Sequence, residues 1–352
     1  MTRNTSSPAA QARRWAYSLA CLVLAGILPL TFLYAQQSPA TPPGQPAPQK
    51  PAQQAAPPTQ PGAGQPADDQ PDTAAPTIRT SVNEVNLIFT VTDKHGHYIP
   101  DLKQSDFALL DDQKAPARVN SFRQQINLPL RVGLLIDAST SIRTRFEFEK
   151  QAATEFLIET LKLQSDRAFV MGFDVTPSIM ADWTNNLDAL QTGVNRLRPG
   201  GGTALFDAVY TACRDKLLSE HGREPVRKAM VLISDGDDNQ SRVRPDEAIK
   251  MCERSETIIY AVSDNWTPSR GKGDQVLEEM AEATGGRVFF PPSVEDMTTS
   301  FHQIQAELRS QYALNYTPAD FKANGAFRPI YLYCNDRRYQ VRARKGYFAP
   351  TQ

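Results

Sequence analysis

VGLLIDASTS, residues 132–141, is an apolar run that ends in an aspartate followed by serines at alternate positions. An apolar run without polar alternation is the pattern of a strand buried on both faces, as in a parallel sheet. Asp137, Ser139 and Ser141 then fall on the loop at the carboxyl end of that strand. That edge is where open α/β sheets bind ligands. Residues two apart in an extended loop project in the same direction, so the three polar side chains converge on one space.

Two later stretches supply what such a loop needs: GGGTALFDA around Thr203 and VLISDGDDN around Asp235. Each also ends a strand or begins a helix. The combined donor set is hydroxyls and carboxylates, which suits a hard divalent cation, Mg²⁺ first, with Mn²⁺ or Ca²⁺ as alternatives. The Ser139, Ser141 and Thr203 hydroxyls are neutral, and Asp137 and Asp235 hold the ion through water. A mostly neutral inner shell leaves the ion electrophilic. It then seeks an anionic oxygen from a partner, such as an Asp or Glu side chain, which is a basis for adhesion rather than turnover. Taken singly, each stretch also has a plainer reading, as a helix-capping cluster, a glycine turn or a turn after a strand. Their order along one sheet edge favours the cation.

DASTS, GGT and LISDG, in that order, resemble the metal-ion-dependent adhesion site of the von Willebrand factor type A domain. The resemblance covers about residues 128–312 and no motif position departs from the pattern. It implies a Rossmann-like fold. It also implies that the two serines and the threonine ligate the cation, with the aspartates acting mainly through water. The flanks, DLKQSDFALLDD and ARKGYFAP, further resemble a bacterial group of VWFA-related proteins described from Acidobacteria, itself without a firm biochemical function.

Around the motifs, strands alternate with helices. Strand patterns at 167–173, 178–183, 229–234, 257–262 and 287–290 are separated by helical ones at 146–161, 187–197, 203–218, 245–253, 274–284 and 294–310. This alternation predicts an α/β fold, a doubly wound, mostly parallel sheet over residues 128–312. Residues 78–125 and 313–352 carry short alternating strand patterns, and neither segment has enough strands for a stable sheet. The two are expected to combine into one small β-sandwich with the α/β domain inserted between its halves.

Ahead of these lies an apolar run from Trp15 to Tyr34, preceded by Arg13 and Arg14. Residues 1–35 read as a secretory signal peptide or a retained N-terminal anchor. The only membrane contact expected is through that segment if it is not cleaved. Residues 36–77 hold many of the 27 prolines and read as a disordered Pro/Gln/Ala-rich linker. The protein is therefore expected to be secreted or held in the periplasm or cell envelope. In such a compartment Cys213 and Cys252, on successive helices, either pair or remain buried thiols.

A formal net charge of -1 gives no footprint for nucleic acid. GGGT lacks the lysine of a nucleotide-binding loop. His95 and His97 sit two apart on a turn, but the sequence places no third ligand for a metal. Asp237, Asp238 and Asn239 read as a solvated acidic loop, the alternative being that they tune the cation's affinity or bind a second ion, and Asp207 faces either the site or water. The basic C-terminal strands read as a solvated face. No general base or nucleophile falls near the motifs, His221 and His302 being remote in sequence, so no enzymatic activity is expected. The expected function is a metal-dependent, protein-binding adhesion module. The alternatives are an envelope assembly protein whose metal is only stabilising and, further off, a metal-dependent hydrolase.

Overall fold

A computed structural model describes residues 83–351, apart from 126–127, 141–142, 144, 163, 221–225, 266–268 and 294. The signal-or-anchor reading of 1–35 and the linker reading of 36–77 lie outside the described residues, as do Ser141 and His221.

The VGLLID run forms the centre of the molecule. It lies in β4 (Leu130–Asp137), paired in parallel on one side with β5 (Arg167–Phe173) and on the other with β7 (Arg227–Ser234). The sheet continues in parallel through β8 (Thr257–Ser263) to β9 (Arg287–Phe289). Only its far edge, β6 (Pro177–Thr184), runs antiparallel. The strand order is therefore β6-β5-β4-β7-β8-β9.

Apolar side chains alternate between the two faces of these strands, and helices cover both. Phe146, Ala153 and Phe156 of α1 (Phe146–Thr160), Leu190 and Val194 of α2 (Leu187–Arg196), and Phe301 and Ile304 of α6 (Met297–Arg309) pack on one face. The other face takes Leu205 and Val209 of α3 (Leu205–Thr211), Ala248 and Ile249 of α4 (Pro245–Arg254), and Leu277 and Met280 of α5 (Lys272–Thr284). This is the doubly wound α/β architecture. It brings the ends of β4, β7 and β8 to one edge.

The third helix differs from its sequence pattern. It begins at Leu205 rather than Thr203, because Thr203 and Ala204 are drawn into loop contacts described below. From Ala212 to Leu217 it widens to π-type hydrogen bonding. Cys213 in that segment is joined to Cys252 of α4 by a disulfide.

The flanking segments form two further sheets. β1 (Val85–Thr92) lies between β10 (Gln311–Thr317) and β12 (Gln340–Ala343), and β10 also pairs with β3 (Arg118–Gln125). In the second sheet β11 (Phe327–Cys334) lies between β2 (Phe107–Asp111) and β13 (Gly346–Phe348), the last being a strand that the sequence pattern did not mark. Leu87 and Phe89 from β1, Tyr312 and Leu314 from β10, Ile330 from β11 and Tyr347 from β13 share one core.

Candidate metal centre

Asp137 is the last residue of β4 and is fully buried. Both of its carboxylate oxygens are held. Oδ1 accepts the Ser139 N–H at 2.8 Å and Oδ2 accepts the Ser234 hydroxyl at 2.8 Å. The Ser139 hydroxyl also bonds this carboxylate. Ser234 in turn accepts the Gly236 N–H at 3.1 Å, which couples the end of β4 to the loop after β7. Burial pushes the Asp137 carboxyl up to about 6 against these hydrogen bonds, and the nearby charge of Asp235 adds to the rise.

The glycine loop is tied down on both sides. The Gly200 N–H donates to the Ala138 carbonyl at 2.7 Å, and the Thr140 hydroxyl donates to the Gly201 carbonyl at 3.1 Å. Ala204 N–H reaches the Asp174 carbonyl at 2.7 Å. The Thr203 carbonyl accepts the Asn239 and Gln240 N–H groups at 3.0 and 3.1 Å, and its own N–H donates to Asn239 Oδ1 at 3.0 Å. A Cβ at Gly202 would lie 2.4 Å from Asn239 Oδ1, so a side chain there would displace the Asn239 side chain that holds Thr203. Thr203 is buried, with its backbone fully used.

Asp235 follows β7 directly and is half-buried. Its Oδ1 accepts the Asp237 N–H at 3.0 Å. Burial raises its pKa, as does the charge of Asp237. Gly236 takes a left-handed φ of 82°. A Cβ there would lie 2.1 Å from the Gly273 carbonyl oxygen, so the loop rests directly on the start of α5.

Asp137, Ser139, Thr203 and Asp235 thus lie on three loops that hydrogen-bond or pack against each other at one sheet edge. Ser141 lies outside the described residues. No three His, Cys, Asp or Glu side chains among the described residues converge closely enough to ligate one ion by themselves. An ion here therefore depends on hydroxyls and water as well, which is the donor set the sequence points to.

In the loop 237–239, Asp237 and Asn239 are exposed, as a solvated segment requires, and Asp238 is half-buried. The Asp238 carboxylate accepts the Phe206 N–H at 3.2 Å at the start of α3. Asn239 holds Thr203, as above. Asp207 is half-buried, and its Oδ1 accepts the Arg242 and Val243 N–H groups at 3.0 and 2.8 Å. These residues build the loop because short acceptors satisfy its backbone donors. His97 bonds Asp93 at 3.1 Å on the first hairpin, and His302 pairs with Glu159 at 2.9 Å between α6 and α1.

Sequence reasoning missed Ser234, Arg145, Glu149 and Asp264. Arg145 precedes α1 and joins Asp235, Asp237, Asp264, Asn265 and Lys272 in lining a cleft of about 500 Å³ beside the site. Glu149 had a signal: it lies in register with Phe146, Ala153 and Phe156 on the buried face of α1.

The sequence of this domain matches a known family. The family model of the von Willebrand factor type A domain matches residues 132–306. Human von Willebrand factor A domain-containing protein 3B is 28% identical over 163 residues, covering 45% of this chain and 11% of that protein. The chain thus spans about a tenth of that relative's length. Among solved structures, a von Willebrand factor type A protein from Catenulispora acidiphila matches with a TM-score of 0.44 at 15% identity, over 70% of this chain and 73% of that one. Proximal thread matrix protein 1 from the mussel byssus, with a zinc-occupied MIDAS motif, gives a TM-score of 0.45 at 16% identity, over 57% and 50%.

Proposed function

Because residues 132–306 are a von Willebrand factor type A domain, we propose that this protein is an exported, metal-dependent adhesion module rather than an enzyme. A divalent cation would be held by Ser139, Ser141 and Thr203, with Asp137 and Asp235 binding through water. When bound, it supplies a Lewis-acidic point that takes an acidic side chain of a protein partner as its last ligand. Mg²⁺ is the first candidate for the ion.

One observation carries this reading. Asp137 is wholly buried, yet both its oxygens are oriented by Ser139 and Ser234, at the edge where the Thr203 loop arrives. A buried carboxylate destabilises a fold unless its charge is compensated. Hydroxyl donors relieve that partly, and a cation relieves it fully. Export is supported by the Cys213–Cys252 disulfide, since disulfides persist in oxidising compartments. Among the described residues no helix is long and apolar enough to cross a membrane.

The test is thermal melting of the purified protein with Mg²⁺, with Mn²⁺ and with a chelator, beside Asp137→Ala. An ion that binds only the folded state raises the melting temperature by mass action. The wild type should gain stability with metal and the variant should not. Capture of acidic peptides from an array should then require metal and be lost in Asp235→Ala. A metal response shared equally by Asp137→Ala would defeat the assignment.

A further inference from the structure

Beside the loops are two carboxylates that no group among the described residues satisfies. Glu149 is fully buried on the inner face of α1, and neither Oε1 nor Oε2 has a hydrogen-bond partner. Asp264, the first residue after β8, is also fully buried with both oxygens unpartnered. Its N–H points to the Ser234 carbonyl at 3.4 Å, which sets it at the sheet edge that carries Ser234 and Asp235.

Asp264 lines the cleft beside the site together with Arg145 and Asp235, and the Glu149 N–H donates to the Arg145 carbonyl at 3.2 Å. After burial and, for Glu149, the opposing field of Arg145, the strongest influences on its carboxyl are the charges of Asp137 and Asp235. For Asp264, burial comes first and Glu149, Asp235 and Asp137 follow. Arg145 is the cation in their field. Asp137, Glu149, Asp235 and Asp264 together outnumber the cations near them, even with Lys272 of the same cleft set beside Arg145. Packing alone does not account for this, because an apolar residue would fill either position without the desolvation penalty. A buried polar group with neither donor nor acceptor calls for an ion or water that completes it.

We infer that Glu149 and Asp264 form a carboxylate floor to the cation site, holding the water shell of the ion from beneath. The inference rests on the cation reading proposed above. The floor would retain the ion between encounters with a partner, when no external carboxylate completes its shell. Hydroxyls at the mouth leave the ion receptive to a ligand, while the floor keeps it from leaving.

The test is calorimetric titration of the chelator-stripped, full-length protein with Mg²⁺, Mn²⁺ and Ca²⁺. Wild type, Glu149→Gln, Asp264→Asn and Asp137→Ala are compared, each also melted in its stripped state. Outer groups that orient metal ligands typically change affinity about 10–100-fold. Each of Glu149→Gln and Asp264→Asn should weaken binding by that factor. Stripped of metal, each should melt no lower than wild type, since a buried acid that no described group satisfies has been replaced by a neutral amide. Unchanged affinity in both variants, with binding abolished by Asp137→Ala, would overturn the floor while leaving the site intact. Weaker binding with a lower melting temperature in the stripped state would also overturn it, by revealing a structural role. No binding by wild type would remove the cation reading itself.

Discussion

Ser234 does the work of two residues at the sheet edge. Its hydroxyl donates to Asp137 and accepts from Gly236, so a single oxygen fixes the carboxylate and starts the next loop. Ser234→Ala leaves a buried carboxylate oxygen and a buried N–H short of a partner. Losses of this kind run to about 1–3 kcal/mol, so denaturant titration should show a loss in that range together with weaker metal binding. Protonation gives a second expectation. Glu149 rises from 4.5 to about 7 and Asp137 from 3.8 to about 6, chiefly through burial. Between the ordinary and the raised values the folded chain holds more protons than the unfolded one. Stability therefore falls as pH rises through roughly 4 to 7. Without metal, the melting temperature should drop by several degrees from pH 5 to pH 8, a loss on the order of 1–3 kcal/mol. With saturating Mg²⁺ the slope should flatten or reverse, because the ion binds the ionised carboxylates. A metal-free melting temperature that climbs over that range would contradict the burial of these groups.

At the scale of elements, the parallel strands were legible because their apolar runs are unbroken, and the helices because their apolar spacing is regular. The loops were legible only in part. Asp137 and Asp235 announce themselves by ending apolar strands. Glu149 does not, because a glutamate in a helix normally faces water and only its register with Phe146, Ala153 and Phe156 marks it as inward. Asp238 and Asp207 misled for the opposite reason. Acidic residues in a loop or in the first turn of a helix usually are solvated, and their backbone partners at Phe206, Arg242 and Val243 come from segments that only folding brings together. Residues 212–217 could not be foreseen as a π-type segment, since the apolar spacing there is that of an ordinary helix. This segment is joined to α4 by the Cys213–Cys252 disulfide, whose cysteines are 39 residues apart. The bond brackets the 227–244 stretch that contains β7 and the Asp235 loop. Closing a loop of this size typically stabilises by about 2–4 kcal/mol. Cys213→Ala/Cys252→Ala should therefore melt several degrees lower, with a fall in the metal-bound state at least as large as that in the stripped state. Equal melting of oxidised wild type and the double variant would mean the bond carries no stability.

For the whole molecule, the decisive feature is that the chain leaves one β-sheet, builds the α/β domain, and returns to the same sheet. β1 comes before that domain, and both its neighbours, β10 and β12, come after it. Contacts then lock the two parts. Glu307 of α6 pairs with Arg287 of β9 and with Arg342 of β12, each at 2.8 Å. Arg344 reaches Glu256 and the Asn86 carbonyl, both at 2.9 Å. Within the β part, Asp111 accepts the Tyr316 and Tyr347 hydroxyls at 2.7 and 2.9 Å and pairs with Arg328. Asp111→Ala leaves Arg328 as a buried charge without that partner, and breaking such a pair typically costs about 3–5 kcal/mol. The central sheet does not depend on this pair, since its strands bond only one another. A chain that stops after Ser310 sharpens the distinction. It keeps every strand and helix of the α/β domain and the residues of the cation site, but β1 loses both neighbours and β3 loses β10. Leu87, Phe89 and Val91 would then be exposed beside an open strand edge, which is a template for aggregation. The truncated chain should therefore self-associate at micromolar concentration, while its soluble fraction binds Mg²⁺ within a few-fold of wild type. Light scattering and calorimetry on the same sample would check both halves. A monomeric truncated chain with residues 85–92 protected from hydrogen exchange would show that the β segment before the α/β domain folds without the strands that follow it.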